Sequence, residues 1–460
     1  MNTPLTTQLS AFALLALLCG SVSFSQETKK DDAPAKADAA KAEVPKPVTV
    51  SEAEAKKADE LYEEGRKLFF QADYAGAIVK LQQAVDANPG KTSHRLLLAK
   101  ALRFSKQPDK AIVQLEEILK GSSDHVDAGV ELAELLSPTK QPDRVIAVLE
   151  PLLKFRHDYP LYHLLAEAHY QKEQFDKARS YYEEAVKLNP RSGSDHYQVG
   201  NIYLAQKRFA KAAEAYETAG RLGLSTGVYH FKLASVYFNL HNYLGNMSTA
   251  EVVGGKPGEI KNDLFLVDPV PGQKDTFYVA GPRSAVFQVV KAQQLGIDIF
   301  ELRFLEANIW LNARRFANAD RIYQGLAEKV KKEDAGLFWY HWSQTALGLD
   351  DYDAYLTRLN KAIAAEPDVY KSMLADALVT IANRHHQKGD NAKFLEFLGK
   401  AVATNPLSAR MHLMLGDAEW VSSRREKAIE QYKLVLELEP DHSDRVRLLN
   451  RIQEDVVGVK

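Results

Sequence analysis

A repeat of 34 residues runs along most of this chain. Its plainest trace is the string Gln107-Pro-Asp-Lys-Ala-Ile112, which returns 34 residues later as Gln141-Pro-Asp-Arg-Val-Ile146. A period of this length is typical of paired helices that stack on one another, because a single pair cannot bury its apolar face. The chain has 460 residues, enough for several domains, but the period predicts one long stacked array.

Small residues set the register of the array. One set marks a first helix: Gly65, Ala99, Ala133, Ala166, Gly200, Ala234, Ala307, Ser343, Ala382 and Gly416. Twelve residues after most of these stands a second small residue, at Ala77, Ala111, Ala178, Ala212, Ala319 and Ala428, with Val145, Tyr355 and Phe394 as looser matches. Four residues further on are larger side chains such as Leu81, Tyr216 and Tyr432. Small residues let two helices approach closely, so each unit is predicted to be two amphipathic helices.

This pattern resembles the tetratricopeptide repeat family. The family's signature is carried by Leu61, Gly65, Leu68, Ala77, Leu81, Ala84 and Pro89, and again by Gly200, Tyr203, Ala212, Tyr216 and Ala219. The resemblance covers roughly residues 58–442 and implies an all-α, tetratricopeptide-like helix-pair solenoid of about ten repeats. Such solenoids usually bind other molecules. In the eighth and ninth repeats Tyr355 and Phe394 replace the small residue, so we expect their second helices to sit differently.

One insertion interrupts the array. Ala234 and Ala285 are 51 residues apart where the register requires 12, which divides the repeats into residues 58–240, ending with the first helix of repeat 6, and residues 282–442. Within residues 241–281, the β-prone runs 264–267 and 276–279 flank a Pro- and Gly-containing segment and predict a β-hairpin. We expect its apolar side chains to pack on the solenoid or on a partner. The insertion is either a tolerated loop elaboration or a flap that shapes a binding groove through Leu264, Phe265, Phe277 and Tyr278.

The N-terminal residues predict export. Residues 1–25 contain the apolar run Ala11–Leu18 followed by small residues, which indicates a signal peptide, although no Lys or Arg precedes the run. The run is too short to span a bilayer. Residues 26–57, rich in Lys, Asp, Ala and Pro, are predicted to be a disordered linker. We therefore expect a periplasmic or extracellular protein, with an uncleaved N-terminus or a lipid anchor on Cys19 as alternatives.

Composition and motifs exclude several classes of function. Lys and Arg total 59 against 61 Asp and Glu, a net charge of −2, so nucleic acid is not an expected partner. Gly254–Gly258 lacks the spacing of a phosphate loop, and the adjacent His385 and His386 would point about 100° apart on a helix. We expect no metal, no cofactor and no enzymatic activity. Residues 443–460 are predicted to form a C-terminal capping helix with an apolar face of Val446, Leu449 and Ile452.

The face of each first helix next to its small residue is the expected partner-binding groove. It combines aromatic and amide positions: His163, Glu167, Tyr197, Asn201, Phe231, Ser235, Phe304, Asn308, Tyr340, Gln344 and Asn383. Amides can pair with the backbone of an extended peptide, and aromatic rings can hold its side chains or stack on sugars. The alternative is that these aromatic residues merely pack against neighbouring first helices.

The sequence therefore predicts a non-enzymatic interaction scaffold that binds protein partners, as peptide segments or envelope complexes, with peripheral membrane association as one form of this role. The alternative function is that of a polysaccharide-binding envelope protein involved in glycan assembly or export. The same aromatic positions would serve either ligand.

Overall fold

The computed structural model describes residues 50–457, with side chains described as far as Gln453. The predicted signal peptide and residues 26–49 of the predicted linker lie outside this range. The described residues divide into two compact units, residues 50–229 and residues 230–457. Both units consist mainly of paired helices.

The first unit holds five helix pairs, repeats 1 to 5. They are α1 (Glu52–Phe70), α2 (Tyr74–Ala87), α3 (Thr92–Phe104), α4 (Pro108–Gly121), α5 (Val126–Leu136), α6 (Pro142–Leu149), α7 (Tyr159–Gln171), α8 (Phe175–Leu188), α9 (Gly193–Ala205) and α10 (Phe209–Arg221). Short 3-10 turns at Ser137–Thr139 and Glu150–Lys154 follow α5 and α6. Each helix contacts the next one along the chain, so the apolar face of one pair is covered by its neighbour.

The second unit holds repeats 6 to 10. Repeat 6 combines α11 (Gly227–Asn239), whose residues from His230 onward belong to this unit, with α12 (Ala285–Gln294). The later helices are α13 (Phe300–Asn312), α14 (Phe316–Leu326), α15 (Ala335–Gly348), α16 (Tyr352–Ala365), α17 (Pro367–Tyr370), α18 (Met373–Gln387), α19 (Asn391–Thr404), α20 (Ala409–Val421), α21 (Arg425–Leu438) and α22 (Arg445–Val457). A 3-10 turn at Lys332–Asp334 precedes α15. The predicted helix-pair solenoid of ten repeats is confirmed.

The small residues hold the pairs together as the register predicts. Ala133, Ala166, Ala234, Ala307 and Ala382 are all fully buried. Where the first helix carries glycine, the partner side chain takes up the space. A Cβ on Gly200 would lie 2.6 Å from the Tyr216 ring, and one on Gly416 would lie 2.7 Å from the Tyr432 ring. In these two repeats the tyrosine ring leaves no room for a Cβ, whereas Tyr182 and Tyr323 are buried opposite alanine in repeats 4 and 7.

A left-handed residue closes the first helix of every repeat. These residues recur at the repeat spacing as Ala72, Lys106, Lys140, Glu173, Lys207, His241, Arg314, Asp350, Gly389 and Ser423. Only Gly389 is glycine, although this backbone region favours glycine. The regular turn therefore fixes the backbone at this position after each first helix, including Arg314.

The insertion forms a four-stranded antiparallel sheet between α11 and α12. Its strands are β1 (Ser248–Glu251), β2 (Ile260–Lys261), β3 (Leu264–Pro269) and β4 (Thr276–Ala280), in the order β1-β4-β3-β2. The predicted hairpin is confirmed as the central pair β3 and β4, with an irregularity in register between Leu266 and Asp268. At the base of the insertion, the amide of Ala285 donates to the carbonyl of Asn242 at 2.9 Å, so the two ends meet and repeat 6 continues.

The two faces of β3 are buried in different places. Leu266 packs with Val252, Phe277 and Val279 in a small core of the sheet itself. On the opposite face Phe265 lies against Trp310 of α13, with ring centres 6.1 Å apart. Asp268 adds an ion pair to Arg315 at 3.2 Å. The expectation that the insertion packs on the solenoid is therefore confirmed.

The start of the first helix and the buried face of the last helix differ from the sequence predictions. The predicted linker reaches residue 57, but α1 begins at Glu52, where Ser51 and Glu54 form a capping box. At the other end, α22 fully buries Leu448 and packs Ile452 against the same cluster but exposes 72% of Val446, so the predicted apolar face is wrong at Val446. The observed face is set by Leu448 packing with Tyr432 and Val435 of α21.

Candidate functional site

The predicted groove residues differ widely in accessibility. Asn201, Phe231, Ser235, Phe304, Asn308 and Tyr340 are buried. His163, Glu167, Tyr197 and Gln344 are half-buried, and Asn383 is exposed. In the insertion, Phe265 and Phe277 are buried while Leu264 and Tyr278 are half-buried. The eleven groove positions therefore do not form one open surface.

The buried amides bind tyrosines of their own repeats and not a partner. The hydroxyl of Tyr216 donates to Oδ1 of Asn201 at 2.7 Å, and the hydroxyl of Tyr323 donates to Oδ1 of Asn308 at 3.0 Å. Both pairs are 15 residues apart, as are Tyr432 and its acceptor Asp417. A buried tyrosine hydroxyl needs a partner, and the amide row supplies it. The prediction that Asn201 and Asn308 contact a ligand is corrected accordingly, and Ser235 is likewise fully buried.

Several aromatic members of the predicted groove pack within the array. Phe304 stacks on Phe300 with ring centres 5.7 Å apart and meets Phe338 at 6.0 Å. Tyr197 lies 5.6 Å from the Tyr216 ring. Phe231 is also buried, with 8% of its surface exposed. For Phe304 and Phe231, packing inside the array is the structural role, and a surface role was wrong.

His163 and Glu167 make polar contacts with neighbouring repeats. His163 Nδ1 lies 2.7 Å from Oδ1 of Asp195, which is fully buried, and this hydrogen bond raises the pKa of His163. Glu167 accepts a hydrogen bond from Ser137 at 2.9 Å. Both side chains therefore have partners within the first unit.

Two of the predicted residues, Tyr340 and Gln344, line a cavity of about 550 Å³ in the second unit, and Asn383 does not line it. We call it the arginine cavity and define it by six polar residues: Asn312, Arg314, Tyr340, His341, Gln344 and Arg384. They come from the first helices of repeats 7, 8 and 9, namely the end of α13 with its turn, α15 and α18. Leu311, Phe316 and Leu347 supply apolar surface. Three successive repeats therefore build one site.

Tyr340 is held rigidly at this cavity. Its ring stacks on Tyr370 with centres 5.2 Å apart, and only 8% of the residue is exposed. Burial raises the pKa of Tyr340, so its hydroxyl stays protonated. Within residues 50–457 that hydroxyl has no hydrogen-bond partner. It is therefore a fixed, available donor.

The protonation of His341 follows from its neighbours. Asn308 donates through Nδ2 to the carbonyl of Phe304 at 2.8 Å, so its Oδ1 is the acceptor that faces Nδ1 of His341. Burial lowers the pKa of His341 to about 4, which leaves the ring neutral near pH 7. Nδ1 must then carry the proton. Nε2 is left as a hydrogen-bond acceptor, and no partner for it lies in the described part of the chain.

The charge of the arginine cavity is positive. Its lining holds Arg314 and Arg384 and, among the described residues, no Asp or Glu. Arg314 has no ion pair within residues 50–457. The nearest carboxylate to Arg384 is Asp350, at 3.9 Å, and Asp350 makes a closer contact of 2.8 Å with Lys388. Two guanidinium groups are thus available for an anionic ligand.

The sequence predicted Tyr340 and Gln344 of this cavity but not Asn312, Arg314, His341 or Arg384. A signal for Arg314 exists, since it stands at the position that follows each first helix, but its left-handed turn is visible only in the structure. Arg384 directly follows the predicted Asn383. His341 directly follows the predicted Tyr340.

Residues 50–457 contain no group of three or more His, Cys, Asp or Glu side chains placed to hold a metal ion. None of the helices in that range combines the length and apolar character needed to cross a bilayer.

Comparison with known proteins gives family matches and distant structural neighbours. Two family models, both described as tetratricopeptide repeat, match residues 163–222 with 395–443 and residues 105–168. No curated protein matches the sequence. Similar solved structures include MamA from Desulfovibrio magneticus RS-1, at 20% identity, covering 38% of this chain and 97% of that one, with a TM-score of 0.35.

Two further solved structures are similar over a comparable length. Pseudomonas aeruginosa pilF has 14% identity and covers 41% of this chain and 87% of its own, with a TM-score of 0.37. YrrB, described as a TPR protein with an unusual peptide-binding site, has 18% identity and covers 48% of this chain and 92% of its own, with a TM-score of 0.35.

The family matches fall in both units. Each matched segment contains helix pairs that the spacing of the small residues predicted. Ten such pairs occupy the described chain apart from the insertion and the terminal helix. The residues that these models match, 105–222 and 395–443, are tetratricopeptide repeats.

Proposed function

We propose that this chain is a non-enzymatic interaction scaffold that binds an acidic segment of a protein partner in the arginine cavity. We further propose that it acts in the bacterial cell envelope. Two arginines without a close carboxylate partner support the binding role most directly. Arg314 has no ion pair among the described residues and Arg384 has only the 3.9 Å contact with Asp350, so a carboxylate ligand could pair with both.

The other polar groups of the cavity suit a peptide. The hydroxyl of Tyr340 and the amides of Asn312 and Gln344 can donate to carboxylate or carbonyl oxygens. Nε2 of His341 can accept from a backbone N–H. A peptide that carries an acidic side chain presents both kinds of group within a few atoms of each other. The volume of about 550 Å³ is within the range of sites that bind small ligands or anchor side chains.

Binding of a fluorescein-labelled peptide with several Glu residues, measured by anisotropy, tests this role. Arg314→Gln and Arg384→Gln should each weaken binding by about five- to thirtyfold, or about 1–2 kcal/mol, because each removes a charged hydrogen bond. Raised salt should weaken binding to the wild type more than to either variant. Arg191→Gln is the matched control, since Arg191 is exposed, lies in the first unit and has no charged partner in residues 50–457.

The same peptide with Gln in place of Glu separates charge from shape. The Gln peptide should bind to the wild type more weakly than the Glu peptide does. It should bind to the two arginine variants with equal affinity. Equal affinity of wild type, Arg314→Gln and Arg384→Gln for the Glu peptide would rule out the arginine cavity as its site.

A role in glycan assembly or export is the second candidate function. It is favoured by the same two arginines, since the carboxylate of a uronic acid would pair with them as a side-chain carboxylate does. A trisaccharide of galacturonic acid should then displace the Glu peptide in the anisotropy assay. Displacement by the sugar at lower concentration than by unlabelled Glu peptide would favour the glycan role over the protein partner.

The envelope location depends on the sequence of residues 1–25. Cell fractionation with N-terminal mass analysis of the full-length protein checks it. Cleavage after the apolar run and recovery with periplasmic or secreted protein is the expected result. A lipidated Cys19 in the membrane fraction would replace the soluble form with an anchored one, and recovery of the uncleaved chain with cytosolic protein would refute the envelope location.

A further inference from the structure

A second cavity of about 670 Å³ lies between the inserted sheet and the helices of repeats 6 and 7. We call it the insertion cavity. The sheet contributes Phe265, Val267 and Asp268, while α12, α13 and α14 supply the opposite walls. The wall made by β3 exists only because of the insertion, which sets this repeat pair apart from the others.

Two adjacent buried groups on α13 have unused hydrogen-bonding capacity at this cavity. Glu306 and Trp310 are four residues apart, so they share a helical face, and they are only 9% and 5% exposed. Oε2 of Glu306 accepts from Gln293 at 2.7 Å and from Arg303 at 2.8 Å. The other carboxylate oxygen of Glu306 and the indole N–H of Trp310 have no partner among residues 50–457.

Although the two residues are mostly buried, neither of these two atoms is completely shielded from solvent, so both are open to a ligand in the cavity. Here the two groups are complementary, one an acceptor and one a donor, about one helical turn apart. A ligand that both donates and accepts within this distance would satisfy both. A hydroxyl group does so by itself, since it has one donor and two acceptor positions.

The charges around the insertion cavity balance. Arg303, Arg321 and Lys329 stand against Asp268, Asp298 and Glu306. A ligand with net charge would gain from one set and be repelled by the other, in contrast to the arginine cavity. The apolar side chains of Phe265, Val267 and Ile322 can cover carbon faces of the ligand.

We propose that the insertion cavity binds a neutral saccharide. Its rings offer hydroxyls to Glu306 and Trp310 at their edges and C–H faces to the apolar wall from β3. The cavity volume lies within the usual range for small-molecule sites. The inserted sheet is then a wall of a ligand site, as the flap alternative for the insertion requires. This site is independent of peptide binding in the arginine cavity.

Gly325 allows the cavity to be blocked without disturbing the protein. It lines the cavity in α14, and a Cβ added there would meet no atom within 4 Å. Leucine at this position therefore extends into open space and also favours the helix more than glycine does. Gly399 in α19 is equally unobstructed and does not line the insertion cavity, so Gly399→Leu is the matched control.

Isothermal titration of the full chain with maltotriose, cellotriose and triacetylchitotriose tests the proposal, with a galacturonic acid trisaccharide as the charged comparison. At least one neutral probe should bind at millimolar concentration and more tightly than the charged one. Gly325→Leu should weaken that binding by about tenfold or more while its thermal midpoint is kept or raised, and Gly399→Leu should leave binding unchanged. Trp310→Phe, which removes the N–H and keeps the ring, should also weaken it.

Three results would overturn the proposal: no binding of any neutral probe, tighter binding of the charged trisaccharide, or undiminished binding by Gly325→Leu. Arg314→Gln separates this site from the arginine cavity. It should leave saccharide binding intact even where peptide binding is lost, so each site can fail its test without the other.

Discussion

At the residue scale, one pairing repeats along the chain and explains why the predicted amide row is buried. In repeats 5, 7 and 10, the residue that directly follows the small residue of the first helix accepts a hydrogen bond from a tyrosine 15 positions later. The acceptors are Asn201, Asn308 and Asp417. The tyrosine ring fills the space between the two helices, and its hydroxyl would otherwise be unpaired. These amides and the Asp417 carboxylate therefore stabilise the repeat instead of reading a ligand.

Asn308→Ala should lower the free energy of unfolding of the second unit by about 2–4 kcal/mol, because it leaves both the Tyr323 hydroxyl and the His341 N–H without an acceptor. Urea unfolding followed by tryptophan fluorescence measures this, since Trp310, Trp339, Trp342 and Trp420 all lie in the second unit. Asn383→Ala is the control, as Asn383 holds the same register position but is exposed. A change of more than about 0.5 kcal/mol in the control would contradict this account.

In repeat 10 the tyrosine ring of the second helix lies very close to the glycine of the first helix. Gly416→Ala should destabilise the second unit, because a Cβ 2.7 Å from the Tyr432 ring costs about 1–3 kcal/mol and outweighs the gain of about 1 kcal/mol in helix propensity. Gly399→Ala meets no atom and should stabilise the unit by about that propensity gain. Opposite signs in urea unfolding are the expected result, and equal signs would show that the close contact relaxes without cost.

His341 should make the stability of the second unit depend on pH. Its pKa is about 4 in the folded chain against an ordinary value of 6.5, so between these values the unfolded chain binds more protons. The contribution of neutral His341 to the free energy of unfolding is fully present above pH 6.5. It falls by about 3 kcal/mol as the pH drops to 4. His341→Gln should remove this part of the slope.

The comparison of wild type with His341→Gln is needed because other groups titrate in the same range. His163, in the first unit, has a raised pKa and contributes with the opposite sign. Tryptophan fluorescence excludes that unit, and the difference between the two proteins isolates His341. Parallel pH profiles for wild type and variant would show that His341 is not kept neutral by burial.

At the scale of the elements, α22 shows how a sequence pattern can predict a helix but misplace its face. Leu448 is fully buried against α21, and Arg447 and Arg451 each reach Asp417 at 2.7 Å. These two ion pairs and Leu448 determine how the helix is rotated. Val446 and Leu448 lie on nearly opposite sides of the helix, and Leu449 and Ile452 lie between them on one side, so spacing alone did not decide which of the two is buried.

Leu448→Ala should cost about 2–4 kcal/mol of unfolding free energy because it leaves a cavity against α21. Val446→Ala should change stability by less than about 0.5 kcal/mol, since Val446 is 72% exposed. Thermal unfolding followed at Trp420, which packs in the same cluster, measures both. A larger effect from Val446 would restore the face that the sequence suggested.

The insertion was partly predictable for a physical reason. Its central hairpin has two apolar runs around a turn, a local pattern that is readable from sequence. The outer strands β1 and β2 have only 4 and 2 residues, with few apolar side chains, and they form because β3 and β4 offer edges to pair with. Strands this short, which depend on pairing with other strands, leave no recognisable pattern in their own sequence.

At the scale of the whole molecule, the repeats interact mainly with their neighbours. Within each unit most helices contact the next one along the chain, and the two units have separate cores. Stability in such arrays is approximately a sum of repeat and nearest-neighbour contributions, and long arrays lose all-or-none unfolding. The two units are therefore expected to respond separately to a core substitution.

Leu359 is fully buried in the second unit. Leu359→Ala should lower the urea midpoint measured by tryptophan fluorescence. In circular dichroism, which reports on both units, only part of the unfolding transition should move to lower urea concentration. Leu165→Ala, its counterpart in the first unit, should alter circular dichroism and leave the fluorescence midpoint unchanged. Each substitution should cost about 2–5 kcal/mol within its unit. A shift of both signals by both variants would indicate one cooperative molecule.

The candidate site was only partly predictable. Tyr340 and Gln344 follow from the periodic face of α15, which the register defines. Arg314 and Arg384 lie 70 residues apart, one in a left-handed turn and one within α18, and no local pattern links them. The role of His341 depends on which way the amide of Asn308 is turned, and that is fixed by the carbonyl of Phe304.

The sequence by itself determined the repeat number, the helix pairs and the hairpin, because small residues, apolar periodicity and turn residues act over short distances along the chain. Only the tertiary structure decided which polar residues are buried and which line a cavity. Both cavities combine side chains from several elements, and whether a given amide meets a tyrosine or a ligand depends on how closely the neighbouring helices pack. The 34-residue period thus accounts for the scaffold, and the arginine and insertion cavities arise from its stacking.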